Sequence, residues 1–233
     1  MAKSTTTVPT KKHDNRANVL GVRISGTNMQ EALGKIASEK LFVVTVNPEF
    51  VMLAQDDLEF KNILNNADLA IADGVGLKLA GLKEIIPGRK LVEEIIKLKK
   101  YKIFYLGGQN GVAAEMAKKF GGESDPGHSD IRSQILDPRE NERIINKINN
   151  YKPDVLLVAY GAPYQEKWLD TNSQLLNARV RIGVGGTFDY LTGRKPLPPK
   201  WAPEWLWRLA HEPWRWKRQI NLVRFVLSLM FSR

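Results

Sequence analysis

Five short apolar runs, each ending in a glycine or polar turn, constrain this 233-residue chain more than any other feature. They are LFVVTV (41–46) before Asn47-Pro48, LAIA (69–72) before Asp73-Gly74-Val75-Gly76, KIFYL (102–106) before Gly107-Gly108, DVLLVA (154–159) before Gly161-Ala162-Pro163, and RIGV (181–184) before Gly185-Gly186. Short runs with little polar alternation read as strands buried on both faces. Helical spacing falls between them: residues 28–40 with Met29, Leu33 and Ile36, residues 48–66, a helix after Gly76, residues 110–120, residues 137–150 with Ile144, Ile145 and Ile148, and residues 165–176. VLGVRI (19–24) predicts a first strand, and 121–130, poor in apolar residues, predicts a loop. The alternation predicts an α/β fold, a Rossmann-like and mostly parallel sheet with helices on both faces. Ligands of such sheets bind at the carboxyl ends of the strands.

Composition narrows the chemistry. There is no Cys, so neither a disulfide framework nor a thiolate nucleophile is available. His13, His128 and His211 lie far apart in sequence, which disfavours a histidine zinc site or a serine-hydrolase triad. The net charge of +10 favours a polyanionic partner: nucleic acid, a phosphorylated substrate or anionic lipid. No apolar run reaches the roughly 18–20 residues that span a bilayer. The opening MAKSTTTVPTKKHDNR is basic without an apolar core, so it does not read as a secretory signal, and a location inside the cell is expected.

The expected organisation is a disordered lead-in over 1–18, an α/β catalytic domain over 19–193, and a basic appendage over 194–233. The appendage holds nine Lys and Arg against Glu204 and Glu212, and five of the six Trp. Its last stretch, 219–233, confines Asn221, Arg224, Ser228 and Ser232 to one narrow stripe and is otherwise apolar between its end residues Gln219 and Arg233. That pattern predicts a helix lying in a membrane interface, or one docked in a groove of the same or a neighbouring subunit.

At the strand ends, glycines allow backbone N–H groups to approach a phosphate, and helix N-termini add favourable partial charge. None of these turns is a dinucleotide or P-loop fingerprint. Asp73 reads either as a functional carboxylate or as the cap of the following helix. Thr45 and Asn47 read as site residues or as turn-formers before Pro48, and Gly185-Gly186 as a phosphate loop or a tight turn, with Asp189 as its anchor.

Six motifs, in order, carry a resemblance across about residues 20–218: T-x-N-P-E, A-D-G-V-G, Y-L-G-G, G-A-P-x-Q-E-K-W, G-V-G-G-T-F-D-Y-L-T-G and E-W-L-W-R-L-x-x-E-P-W-R-W-K-R. Together they resemble the WecG/TagA/CpsF family of bacterial glycosyltransferases. The resemblance implies an inverting, metal-independent enzyme without cofactor. It would move a sugar, often N-acetylmannosamine or its uronate, from a UDP-sugar to a polyprenyl-diphosphate-linked acceptor at the inner membrane face. It implies Asp73 as general base, Thr45 and Asn47 lining the same pocket, and Gln165, Gly185 and Gly186 near the nucleotide. Arg208, Arg215 and Arg218, with Arg224 further on, would fold over the leaving diphosphate, whose oxygens suit the planar guanidinium fork. It further implies peripheral attachment to the membrane through the last helix and possible self-association.

One stretch departs from the family pattern P-E-R-x-x-G-x-D-L. Residues 81–91 (GLKEIIPGRKL) form a shorter run, with Ile85 in place of the arginine and Lys90 in place of the aspartate. Arg89 is the residue expected to restore the charge. Two other readings remain open: a nucleotide-sugar-binding homologue without activity, and a nucleic-acid-binding protein using the basic, Trp-rich tail. The apolar last helix, and the lack of any RNP or helix-turn-helix pattern, speak against the latter.

Overall fold

All five apolar runs become interior strands of one eight-stranded sheet. The computed structural model describes residues 16–133, 136–197, 199, 207 and 216–231, the side chains of 216–219 excepted. The strands are β1 (Arg16–Val19), β2 (Val22–Ser25), β3 (Leu41–Val46), β4 (Leu69–Ala72), β5 (Ile103–Gly107), β6 (Glu123–Asp125), β7 (Val155–Ala159) and β8 (Val180–Gly183), in the order β1-β2-β4-β3-β8-β7-β5-β6. Every residue of β3, β4, β5, β7 and β8 is buried, Thr45 and Arg181 included. The β1–β2 pair is antiparallel and all other pairs are parallel.

The pleat of two residues splits the core. Val44, Val46, Leu156 and Val158 face one apolar cluster, while Val43, Ile71, Leu157 and Ile182 face the other. Helices α2 (Pro48–Asp56), α3 (Leu58–Asn66), α6 (Pro138–Tyr151) and α7 (Tyr164–Thr171) cover the first. Helices α1 (Met29–Ser38), α4 (Gly88–Lys97), α5 (Val112–Phe120) and α8 (Thr187–Thr192) cover the second. The expected mostly parallel sheet with helices on both faces is what the chain forms.

Four local expectations differ. The first strand is a hairpin turning at Leu20 (φ 50°) and Gly21 (φ 82°), so its sheet begins at Arg16. The helix expected over 48–66 breaks at Asp57, which ends α2 and caps α3 by accepting from the Phe60 N–H at 2.9 Å. The helix expected after Gly76 is a 3-10 segment, Val75–Ala80, ended by Gly81 in the left-handed region. The loop expected over 121–130 contains β6, whose polar sequence is tolerated because it is a sheet edge.

The last described helix, α9 (Trp216–Phe231), docks on this same chain, against α2 and the 3-10 segment. Phe225 is completely buried, Leu229 packs beside it, and Arg224 takes both oxygens of Asp56 at 3.0 and 3.1 Å. The groove-docked alternative therefore accounts for one face of the helix. Ile220, Val223, Leu227, Met230 and Phe231 form a second apolar face left exposed. Among the described residues no helix is long and apolar enough to cross a membrane. Replacing Phe225 by Ala should cost about 3 kcal/mol of unfolding free energy through the cavity left under α9. Urea denaturation measures this; an unchanged midpoint would show that the helix is not packed there.

Candidate functional site

The carboxyl ends of β4, β3, β8 and β7 open onto one narrow crevice of about 180 Å³. Its lining includes Thr45, Asn47, Asp73, Arg89, Gln165, Gly185 and Gly186, all candidates from sequence, together with Glu49, Thr187 and Tyr190, which stand in the motifs without an assigned role, and Phe50. Parallel register explains the convergence. Thr45 pairs with Ile71 and Val46 with Ala72, so Asn47 and Asp73 leave the sheet side by side. The Asp73 N–H continues the ladder by donating to the Val46 carbonyl at 2.6 Å.

Asp73 does not cap the segment that follows it. That position belongs to Gly74 (φ 99°), which makes no side-chain cap and whose left-handed backbone turns the chain sharply after Asp73. Asn47 caps a helix and borders the crevice. Its Oδ1 accepts from the Phe50 N–H at 3.0 Å, capping α2, while the residue lines the crevice.

The shortened stretch still delivers a cation. The Ile86 N–H donates to the Ala72 carbonyl at 2.8 Å, fastening this stretch to the end of β4. Gly88 then lies flat on Thr45; a Cβ there would be 3.1 Å from Thr45 Cγ2. That close approach puts the first turn of α4, with Arg89, over the crevice. Ile85 packs on the core instead, and Lys90 points outward to Glu93 at 2.8 Å. Arg89 is itself hydrogen-bonded to Glu93. Burial works to raise the Glu93 carboxyl, but the Lys90 hydrogen bond and the Arg89 charge outweigh it and hold it below its ordinary value.

Gln165 joins two of the turns. Its Oε1 accepts from the Gly161 N–H at 3.1 Å and the Gly185 N–H at 2.9 Å, so the Gly185 amide is already engaged. Beneath it lies Glu166, completely buried, which the sequence motif contains but to which no role was assigned. Burial pushes this carboxyl up to about 7, against the lowering effect of its hydrogen bond from Gln165.

Gly161, Gly185 and Gly186 also border a second, wider compartment of about 960 Å³. Turn 108–112, loop 126–132, Phe188, Asp189, Arg194 and Lys195 enclose it. On its floor the buried His128 ring lies 3.1 Å from Glu140 Oε2 through Nδ1 and 3.1 Å from Asn141 Oδ1 through Nε2. Asn141 Oδ1 also accepts from Trp168 Nε1 at 2.8 Å, while Asn141 Nδ2 donates to Asn172. Asn141 Oδ1 is thus an acceptor. At the rim, Arg194 donates to Glu115 at 2.9 and 2.6 Å and to the carbonyls of Gln109 and Asn110 at 3.0 and 2.7 Å. Asp189 lines this compartment, and its carbonyl accepts from the Lys195 N–H at 3.0 Å, which anchors the chain leaving α8.

Of the arginines expected to cover the diphosphate, Arg208 and Arg215 and the side chain of Arg218 lie outside the described residues. Arg224 faces Asp56 on α2 rather than the crevice.

The glycosyl transferase WecG/TagA/CpsF family model matches residues 17–233. The chain is 30% identical to the N-acetylglucosaminyldiphosphoundecaprenol N-acetyl-beta-D-mannosaminyltransferase of Staphylococcus aureus (strain MRSA252), over 97% of this chain and 95% of the relative. It is 28% identical to the protein of the same name from Bacillus subtilis (strain 168), over 81% of this chain and 78% of that one. The chain belongs to the WecG/TagA/CpsF family and is a glycosyltransferase.

Glu166 makes stability depend on pH with a definite sign. Its folded pKa of about 7 exceeds the ordinary 4.5, so the native state holds more protons between these values. Its contribution is fully present below pH 4.5 and is lost as pH rises through 7. Glu166→Gln should therefore flatten stability over this window, gaining up to about 3 kcal/mol on wild type from pH 4.5 to 8. Denaturant melts at the two pH values measure the difference; parallel wild-type and variant curves would contradict it.

Proposed function

We propose that the chain transfers an N-acetylmannosamine-type sugar from a UDP-sugar to a polyprenyl-diphosphate-linked acceptor, with inversion, in the synthesis of a cell-surface polymer. One observation carries this reading: a narrow crevice bearing Asp73, Thr45, Asn47 and Arg89 shares a wall of glycines with a much wider compartment. The wide compartment has the size of a small-molecule pocket and suits a nucleoside. Gly161, Gly185 and Gly186, having no side chains, let a diphosphate cross between the two, and the narrow crevice takes the sugar.

In the reaction, Asp73 accepts the proton of the acceptor hydroxyl as that oxygen attacks the anomeric carbon. The new C–O bond forms on the face opposite the old one, whose electron pair leaves with the UDP β-phosphate. Arg89 and the N-termini of α4 and α7 offset the charge that grows on this leaving group. Thr45 and the Asn47 amide hold sugar hydroxyls. The names of the two relatives support the acceptor class, an N-acetylglucosaminyl diphosphoundecaprenol, and the mannosaminyl group transferred.

A lipid-linked acceptor also gives the second face of α9 a role. Ile220, Val223, Leu227 and Met230 lie on one side of the helix, and Val75 and Leu79 of the 3-10 segment on which it docks are exposed as well. This apolar surface rests in the inner leaflet and keeps the crevice near the acceptor.

Asp73→Asn should slow UDP release from a UDP-sugar and a polyprenyl-diphosphate acceptor analogue by at least about 100-fold. UDP affinity by calorimetry should stay within about threefold; retained turnover would remove Asp73 from the base role. Arg89→Ala should weaken UDP binding by roughly tenfold or more, the loss of a charged hydrogen bond. No transfer with any donor, but tight UDP binding, would favour the inactive homologue. Val223→Glu with Leu227→Glu should abolish co-flotation with anionic phospholipid vesicles while leaving helicity by circular dichroism unchanged; undiminished flotation would contradict the membrane role of α9.

A further inference from the structure

Glu166 is the most deeply buried charged side chain among the described residues, and it does not line the crevice. Its Oε1 accepts from Gln165 Nε2 at 2.7 Å, and its Oε2 has no hydrogen-bond partner among the described residues. The Gln165 amide has no freedom to flip. Two backbone N–H groups, those of Gly161 and Gly185, require its oxygen, so its nitrogen must face Glu166. The pair also needs Gly183 at the end of β8: a Cβ there would lie 2.6 Å from Glu166 Oε1 and 2.7 Å from Gln165 Nε2. An amide nitrogen carries two hydrogens, and the Glu166 bond uses one of them.

We propose that Glu166 is a positioning residue for the transfer. It locks Gln165 in the single orientation that ties the Gly161 and Gly185 turns together and keeps the second amide hydrogen for a diphosphate oxygen of the donor. This rests on the reading above in which the donor diphosphate crosses those glycines. A carboxyl suits the task because either oxygen accepts and neither protonation state places a donor against Gln165 Nε2 if the proton is on Oε2. Leaving a buried polar atom without a partner is costly, and here the cost is borne beside the site rather than elsewhere.

The test is a double-mutant cycle on kcat/KM for UDP-sugar, using Glu166→Met, Gln165→Ala and the double variant. Glu166→Met keeps the length of the side chain and removes its acceptor. It should lower kcat/KM by roughly tenfold, and the double variant should be within about twofold of Gln165→Ala, because Glu166 acts only through Gln165. Glu166→Gln, which retains an acceptor oxygen, should recover most of the loss. In 1H–15N spectra the Gln165 side-chain amide should be protected from solvent exchange in wild type and unprotected in Glu166→Met. If Glu166→Met does not fold, Gly183→Ala, whose methyl intrudes on the pair, is read in the same way. Losses that multiply in the double variant, or wild-type kinetics with the acceptor removed, would overturn the proposal. Absence of transfer in wild type would sink the functional reading instead, and the amide exchange would then decide the clamp alone.

Discussion

The parallel pairing of β4, β3, β8 and β7 is the constraint on which the rest depends. Val46 lies beside Ala72 and Val158 beside Gly183, so four chains leave the sheet at one level and turn over one space. The pairing holds because the strands bury apolar side chains on both faces, on the order of 1.5–3 kcal/mol for each large one. Polar residues at the turns are then carried by a scaffold that cannot slip: a one-residue shift would exchange the two faces of every strand. The hydrophobic core thus brings the turns together, and contacts among the site residues, such as those of Gln165 with Gly161 and Gly185, tie them to one another.

The features legible in sequence are those with short-range causes. Continuous apolar runs marked the interior strands, and turn residues at their ends marked Thr45, Asn47, Asp73, Gln165, Gly185 and Gly186, all of which meet in one crevice. What escaped has non-local causes. The break at Asp57 is invisible because apolar periodicity continues through it, with Phe50 and Phe60 in edge-to-face contact across the joint. β6 escaped because Glu-Ser-Asp forms a strand only by pairing with β5. The burial of Glu166 escaped because a glutamate on a helix is ordinarily solvated; only the approach of α7 to Gly183 buries it.

Near Pro87, Arg89 lines the crevice because Gly88 can lie against Thr45. At the last helix, a nearly all-round apolar sequence resolves into an inner face around Phe225 and an outer face around Val223 and Leu227. Leu222 lies next to Gly76, three residues beyond Asp73, so the helix that offers an apolar surface also supports the turn bearing the proposed base.

The most direct measurement of the central claim is a crystal structure with a non-transferable UDP-N-acetylmannosamine analogue bound. Uracil is expected in the compartment walled by Phe188 and Asp189, the diphosphate over Gly161 and Gly185, and the sugar beside Asp73. An acceptor hydroxyl placed for attack, about 3–3.5 Å from the anomeric carbon, would then fall within reach of the Asp73 carboxylate. A nucleotide bound elsewhere, or a sugar pointing away from Asp73, would contradict it.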